Sequence, residues 1–344
     1  GLMDPDSAIR IKMVHFGSGA ALDGSFFRQK IETAQALRAH FHQSSTSAYR
    51  LIFGENDGMP GLIVDRYNDV LVMKVYALMW APYLALIRAL LIEVTHCRAI
   101  VFRAGRQFAK GAKEFPWLDG MVIHGDLINE TVHFTEHGVN FSANLIQGHK
   151  TGFFLDHRAN RKRVGQLAKG RSVLDVFSYA GGFSVHSLVS GAQNVTSIDI
   201  SEKALLQAKA NAQLNQHSGQ HQTICGDAFV LMKEMIQTNQ QFGLVVIDPP
   251  SFAKSAAEQE RAIKKYEEIA ALGAQLVGPG GWLVLASCSS RVNSEDFYQA
   301  NNQGFEKSKT RYTLKETHGH DADHPIGFPE GAYLKCGYYK KIGQ

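Results

Sequence analysis

Residues 173–188 read VLDVFSYAGGFSVHSL and leave the chain few folds to choose from. Val173, Leu174, Val176 and Phe177 make a short, nearly continuous apolar run, the pattern of a parallel strand covered on both faces. Asp175 interrupts that run. After Ser178 and Tyr179, the small residues Ala180, Gly181 and Gly182 allow a tight turn, and Phe183, Val185 and Leu188 open a helix by their spacing. The first N–H groups of such a helix have no partner inside it, so strand, glycine turn and helix in this order form a nucleotide-type site.

The same loop narrows the ligand. A phosphate-cradling loop reads GxxxxGK[ST] and a dinucleotide loop GxGxxG, whereas the close glycines here are the adjacent pair Gly181 and Gly182. No pyrophosphate is expected. A carboxylate at Asp175 repels phosphate but attracts an ammonium or a sulfonium, and S-adenosylmethionine carries both cations. Asp199, in SIDIS, falls at the end of the next strand, where it can accept hydrogen bonds from two ribose hydroxyls; Asp227, in CGD, ends the third strand within reach of an adenine amino group. A single Asp at a strand end is often only a helix cap. Three at successive strand ends point together to a cofactor edge made of Asp175, Phe177, Ser178, Gly181, Asp199 and Asp227.

With 344 residues the chain has room for two or three domains, and a core of that size needs no disulfide staples. Cys97, Cys225, Cys288 and Cys336 are far apart and form no CxxC pair, which argues against a disulfide framework or a zinc knuckle and fits a reducing cytoplasm. No charged-then-apolar leader is seen, and the longest apolar candidate, 83–92, is broken by Arg88, so no membrane span is expected. The net charge of +4 permits an anionic partner. Lys150, Arg158, Arg161, Lys162, Arg163, Lys169 and Arg171 face the single acid Asp156 in their stretch, as either a solvated helix face or a phosphate-contacting patch.

Three segments follow from the patterning. Residues 1–47 hold a strand over 9–16, a helix marked by Phe27, Ile31, Ala34, Leu37 and Phe41, and a polar linker; 48–145 read as a small β-rich α/β domain with a hairpin around His137 and Gly138. From 146 to 344 strands and helices alternate, the signature of a parallel sheet with crossovers. Strands are expected over 173–177, 194–200, 222–226, 242–247, 281–287, 305–313 and 333–342, the last two as an antiparallel pair at a sheet edge.

The fourth of these strands ends in VVIDPPSFAKS. Pro249 and Pro250 fix their own φ and restrict the residues before them, so Asp248 is held still where a flat base edge could be recognised. Phe252 is either a stacking partner for a flipped base or a core residue after a strand-ending turn. The fifth strand ends in WLVLASCSS, which brings Cys288 to the same edge among the hydroxyls of Ser287, Ser289 and Ser290. A lone Cys there is by default a small buried hydrophobe, but polar surroundings favour a thiolate.

DPPSF, the ASCSS strand end, QGHKTGFFLDHR over 147–158, DHP around Asp323 and PEGAYLK over 329–335 together resemble the bacterial large-subunit ribosomal RNA cytosine carbon-5 methyltransferases. The resemblance extends from about residue 47 to the C-terminus. It implies a Rossmann-like class I methyltransferase domain with a mostly parallel seven-stranded sheet after a small α/β domain, S-adenosylmethionine as methyl donor, and ribosomal or other structured RNA as partner. In that family the position of Cys288 is the nucleophile, while Lys150, Thr151 and Gly152 help close the cofactor site. Pro249, Pro250, Phe252, Arg158 and His324 are then expected on the substrate side. The family usually begins with an RNA-binding PUA domain, of which only 9–16 resembles the tail. A homodimer is compatible with this reading.

Carbon 5 of cytosine is too poor a nucleophile to take a methyl group unaided, so the implied chemistry is thiolate addition at carbon 6 by Cys288, with Asp248 stabilising the adduct. Ser251 follows the second Pro, so no second thiol is offered by the motif. His318, His320 and His324 lie in a loop-like tail without an evident fourth ligand, and no metal is expected. Two other readings stay open: methyl transfer to a base nitrogen using Asp248 without a covalent adduct, and a non-catalytic RNA-binding protein.

Overall fold

The computed structural model describes residues 1–4, 7–253 and 255–343. They form two compact units, one of Gly1–Asp156 with Asp321–Gly327, the other of His157–His320 with Phe328–Gln344. The chain thus enters the second unit beyond residue 145, where the sequence placed the boundary, and the DHP segment belongs with the first unit.

In the first unit, strands Ala48–Phe53, Leu62–Tyr67, Val70–Val75, Ala99–Ala104 and Val122–His124 form one sheet in chain order. Val70–Val75 and Ala99–Ala104 pair in parallel, because helix Leu84–Thr95 carries the chain back between them; the other pairs are antiparallel. Helix Gly24–Leu37 begins at Asp23, whose side chain accepts from the N–H groups of Ser25 and Phe26, and it buries Phe27, Ile31 and Ala34 at helical spacing. The strand expected over 9–16 is only Ile11–Lys12, paired with Leu2–Met3, and Ile9, Ile11 and Phe16 stay exposed. Alternation there has no sheet face to cover. Leu78–Thr95 is long and apolar enough to cross a membrane, contrary to the expectation that Arg88 breaks the run, yet Trp80, Leu84, Ile87 and Leu91 are fully buried in this unit's core. The hairpin of Thr131–Glu136 and Val139–Asn144 turns through His137 and Gly138, both left-handed.

Among the described residues the second unit contains seven strands: β1 (Ser172–Val176), β2 (Asn194–Asp199), β3 (Gln220–Cys225), β4 (Phe242–Ile247), β5 (Val277–Ser287), β6 (Tyr312–His318) and β7 (Lys335–Lys341). Their order is β3-β2-β1-β4-β5-β7-β6, with the first five parallel and β7 antiparallel to both neighbours. The helices are α1 (Arg158–Ala168), α2 (Gly182–Val189), α3 (Glu202–Gln213), α4 (Ala228–Gln237), α5 (Gln259–Leu276) and α6 (Ser294–Lys307). This is the expected Rossmann-like sheet. β1 lies between β2 and β4, so the strand order reverses there and the carboxyl edge opens a crevice.

Alternation along the strands decides what each face buries. Leu174, Val176, Val245, Ile247, Leu283 and Leu285 form one apolar face against Tyr266, Ile269 and Leu276 of α5 and Phe297 of α6. Each such side chain contributes about 1.5–3 kcal/mol when fully buried. The intervening Asp175 points to the other face, toward α2. The strand expected over 305–313 is displaced. Phe305 belongs to α6, whose end is closed by Thr310 N–H on the Phe305 carbonyl and by Lys309 at φ 53°, and the strand starts only at Tyr312.

Candidate active site at the carboxyl edge of the second sheet

The loop from β1 to α2 is built on left-handed residues: Phe177 at φ 64°, Tyr179 at 46° and Gly181 at 77°. Two are not glycines, so tertiary hydrogen bonds must impose the turn. Ser178 N–H donates to the Ile198 carbonyl (2.9 Å) and Tyr179 N–H to Oδ2 of Asp199 (2.9 Å). Gly181 caps α2, and a Cβ there would come within 2.8 Å of the Ala208 Cβ.

Asp175 is fully buried behind this loop, where its Oδ2 accepts from Ser184 N–H (3.0 Å) and Ser184 Oγ (2.6 Å). Burial pushes its carboxyl up to about 7; the Ser184 bonds oppose this, and the charges of Asp248 and Asp199 add to it. Its Oδ1 and the Ser178 Oγ are buried and have no hydrogen-bond partner among the described residues. Two unsatisfied polar atoms at one glycine turn suit a polar ligand.

Asp199 accepts from Tyr179 N–H with one oxygen and from Ser201 N–H with the other (2.9 Å), so it ties the loop to β2 while retaining acceptor capacity. Asp227 is exposed and caps α4, accepting from Phe229 and Val230 N–H. Its bland reading as a cap is what the local geometry displays.

Asp248 directly follows β4, its N–H donating to the Val176 carbonyl (3.3 Å), and its side chain is 23% exposed. Nε2 of His157 stands 3.4 Å from Asp248 Oδ1, within ion-pair range but without hydrogen-bond geometry. Pro249 is buried and Pro250 exposed. Phe252 is half-buried against Tyr266 (5.0 Å between centroids) and Phe229, with Lys265 Nζ 5.1 Å from its ring, so it packs at the margin of the core more than it offers an open platform.

The register pairing Ile247 with Leu285 brings Asp248 and Cys288 to the same edge on neighbouring strands. Cys288 is half-buried and not in a disulfide. Around it the polar groups are organised: Ser287 Oγ donates to Tyr266 Oη (2.8 Å), Ser289 N–H donates to Ser287 Oγ (3.3 Å), and Lys335 Nζ donates to the carbonyls of Ser289 (2.6 Å) and Val292 (2.7 Å). The sequence reading passed over His157 and Lys335, although a lysine between Leu334 and Cys336 in an apolar strand is itself a signal.

Lys150, Thr151, Gly152 and His324 belong to the first unit. Thr151 is buried and donates to Asp65 Oδ2 (2.5 Å); Lys150 lies 4.2 Å from the Phe154 ring centroid; Gly152 adopts φ 132°. His324 is buried against Phe53 with Nδ1 3.0 Å from Asp323 Oδ1. Arg158 has no exposed surface and Arg161 almost none, while Arg163 pairs with Glu316. The basic run is therefore no continuous outward stripe, and Arg158 is not available to an RNA surface. Among the described residues no group of three or more His, Cys, Asp or Glu gathers as a metal site would.

Residues 50–309 match the family model of S-adenosylmethionine-dependent methyltransferases. The chain belongs to that family. This methyltransferase is 40% identical over 342 residues to a protein of Deinococcus radiodurans named ribosomal RNA large subunit methyltransferase, covering 98% of this chain and 84% of the relative. It is 34% identical to ribosomal RNA large subunit methyltransferase I of Aliivibrio fischeri, covering 97% and 85% of the two chains. A solved Streptococcus mutans structure described as a SAM-dependent methyltransferase superposes with a TM-score of 0.81 at 23% identity, covering 94% of this chain and 83% of that one. The methyltransferase uses S-adenosylmethionine as its donor, which its acidic carboxyl edge and glycine turn suit.

Proposed function

We propose that this methyltransferase methylates carbon 5 of a cytosine in large-subunit ribosomal RNA through a covalent adduct on Cys288. The observation that carries the reading is the position of Cys288: half-buried in polar surroundings, at the end of the strand next to the one that presents Asp248. The names of the relatives support the RNA class.

Asp175, Ser178, Gly181 and Asp199 hold the donor, with Asp227 at the end of the same edge. When bound, the donor supplies an electrophilic methyl group. Cys288 adds as a thiolate to carbon 6 of the base, which turns carbon 5 into an enamine-like nucleophile. Asp248, kept in place by the following prolines and the Val176 carbonyl, accepts a hydrogen bond from the exocyclic amine and stabilises the charge that develops in the ring. His157 lies beside it, with Nε2 3.4 Å from Oδ1. Loss of the carbon-5 proton then releases the thiol.

The test is nucleoside mass spectrometry on large-subunit RNA incubated with the protein and donor. 5-Methylcytidine supports the proposal. A methyl on a base nitrogen favours the non-covalent reading.

A further inference from the structure

A buried lysine faces the loop that carries the proposed nucleophile. Lys335 opens β7 opposite Ser287, the residue before Cys288, and is only 4% exposed. A buried ammonium is costly unless its three donors are met. Two of them meet the carbonyls of Ser289 and Val292, so the cation clamps the turn that follows Cys288. Among the described residues no carboxylate lies within ion-pair range of its Nζ. Lys335 is thus an enclosed cation whose bonds hold the turn after Cys288, a thiol that is not sealed in the core.

We propose that Lys335 is a positioning residue for the methyl transfer: it fixes the Cys288 turn and supplies the positive charge that holds the Cys288 sulfur as a thiolate. The proposal rests on the nucleophile reading above for its catalytic meaning, but its electrostatic content can be read without RNA or donor. The surrounding titratable groups agree. Burial pulls Lys335 down to about 8 and the Cys288 charge pushes it back up, so the two groups sense each other. Tyr266, on α5, is pushed above its usual range by burial first and by Cys288 and Asp248 after that. On β7 itself Cys336 and Tyr338 are buried and held protonated, and on β6 His318 pairs with Cys336 and packs on Tyr338. Asp248, whose charge reaches Tyr266 and Cys336, is the other acid at this edge, and Cys288 is the group whose charge acts on Lys335.

Alkylation of Cys288 by iodoacetamide, followed by mass spectrometry of its peptide from about pH 6 to about pH 10, tests this on the full chain. An unperturbed thiol titrates at about 8.5. The wild-type midpoint is expected at least about one pH unit lower, with Lys335→Met raising it by about one unit or more and Lys335→Arg restoring most of the difference. The acid limb of the turnover profile should move with it. A wild-type midpoint at or above about 8.5 overturns the proposal without recourse to any variant. So does a folded Lys335→Met protein whose midpoint is unchanged. A Cys288→Ser protein with full turnover overturns the nucleophile reading instead and leaves the alkylation result standing, so the two failures are distinguishable.

Discussion

The imidazole Nε2 of His157 lies 3.4 Å from Oδ1 of Asp248, the carboxylate that the chain presents immediately after β4. The acid keeps 23% of its side chain exposed with the imidazole beside it. Asp248→Asn keeps the shape and removes the charge, so turnover should fall by about 10²–10⁴-fold, the usual range for a group acting on protons and charge in the transition state. The melting midpoint should hold or rise, because Asp248 also repels the buried Asp175. Steady-state kinetics and a thermal melt on one preparation check both halves.

A hydrogen-bonded chain links Asp175 to the far side of β2. Ser184 Oγ donates to Asp175 Oδ2 and lies 2.6 Å from Ser197 Oγ, which lies 2.8 Å from His221 Nε2. Burial pushes the acid up to about 7 and the imidazole down to about 4. Folded Asp175 keeps a proton that the unfolded chain releases, so its contribution makes stability fall as pH rises from about 4 to about 7. His221 acts in reverse: the unfolded chain holds the proton, so its contribution rises with pH from about 4 to about 6.5. The slopes oppose one another over most of that window. Asp175→Asn should leave a rising profile and His221→Gln a falling one, each by at most about 1.4 kcal/mol per pH unit, in urea unfolding across a pH series.

In the first unit the buried pair of Arg50 and Asp65 is bidentate, at 2.8 and 3.0 Å, and Asp65 also accepts from Thr151. Asp65→Ala removes the bidentate partner of a guanidinium that is nearly shielded from water. The expected loss is about 3–5 kcal/mol in denaturant unfolding. A loss below about 1 kcal/mol would mean the pair is solvated.

Gly181 tests the donor loop. Its φ of 77° and the 2.8 Å approach of a would-be Cβ to Ala208 leave no room for a side chain. Gly181→Ala should weaken S-adenosylhomocysteine binding at least about tenfold, equal to 1.4 kcal/mol, in calorimetry, with a smaller change in overall stability.

Much of this was legible because the signals are local and repeated. The apolar runs of β1, β2, β4 and β5, the helical spacing of α3 and α5, and an acid or thiol after a strand each stand in a few consecutive residues. Other features depend on partners far away in the chain. Phe177 and Tyr179 are left-handed because Ile198 and Asp199 hold their loop, which no local propensity announces. Arg158 counts as a charge in the sequence and as a fully buried side chain in the fold. Phe305 reads as strand by its neighbours, yet its contacts with Tyr312 and Tyr339 place it in the last turn of α6. His157 and Lys335 acquire meaning only once β4, β5 and β7 are side by side.

The central claim is that the Cys288 sulfur bonds to the base. RNA carrying 5-fluorocytosine cannot lose a proton from carbon 5 after methyl transfer, so the adduct should persist and be found by mass spectrometry on the Cys288 peptide, only with donor present. Cys288→Ser should give neither adduct nor product. Full turnover by Cys288→Ser, or an adduct mapped to another residue, would contradict the account.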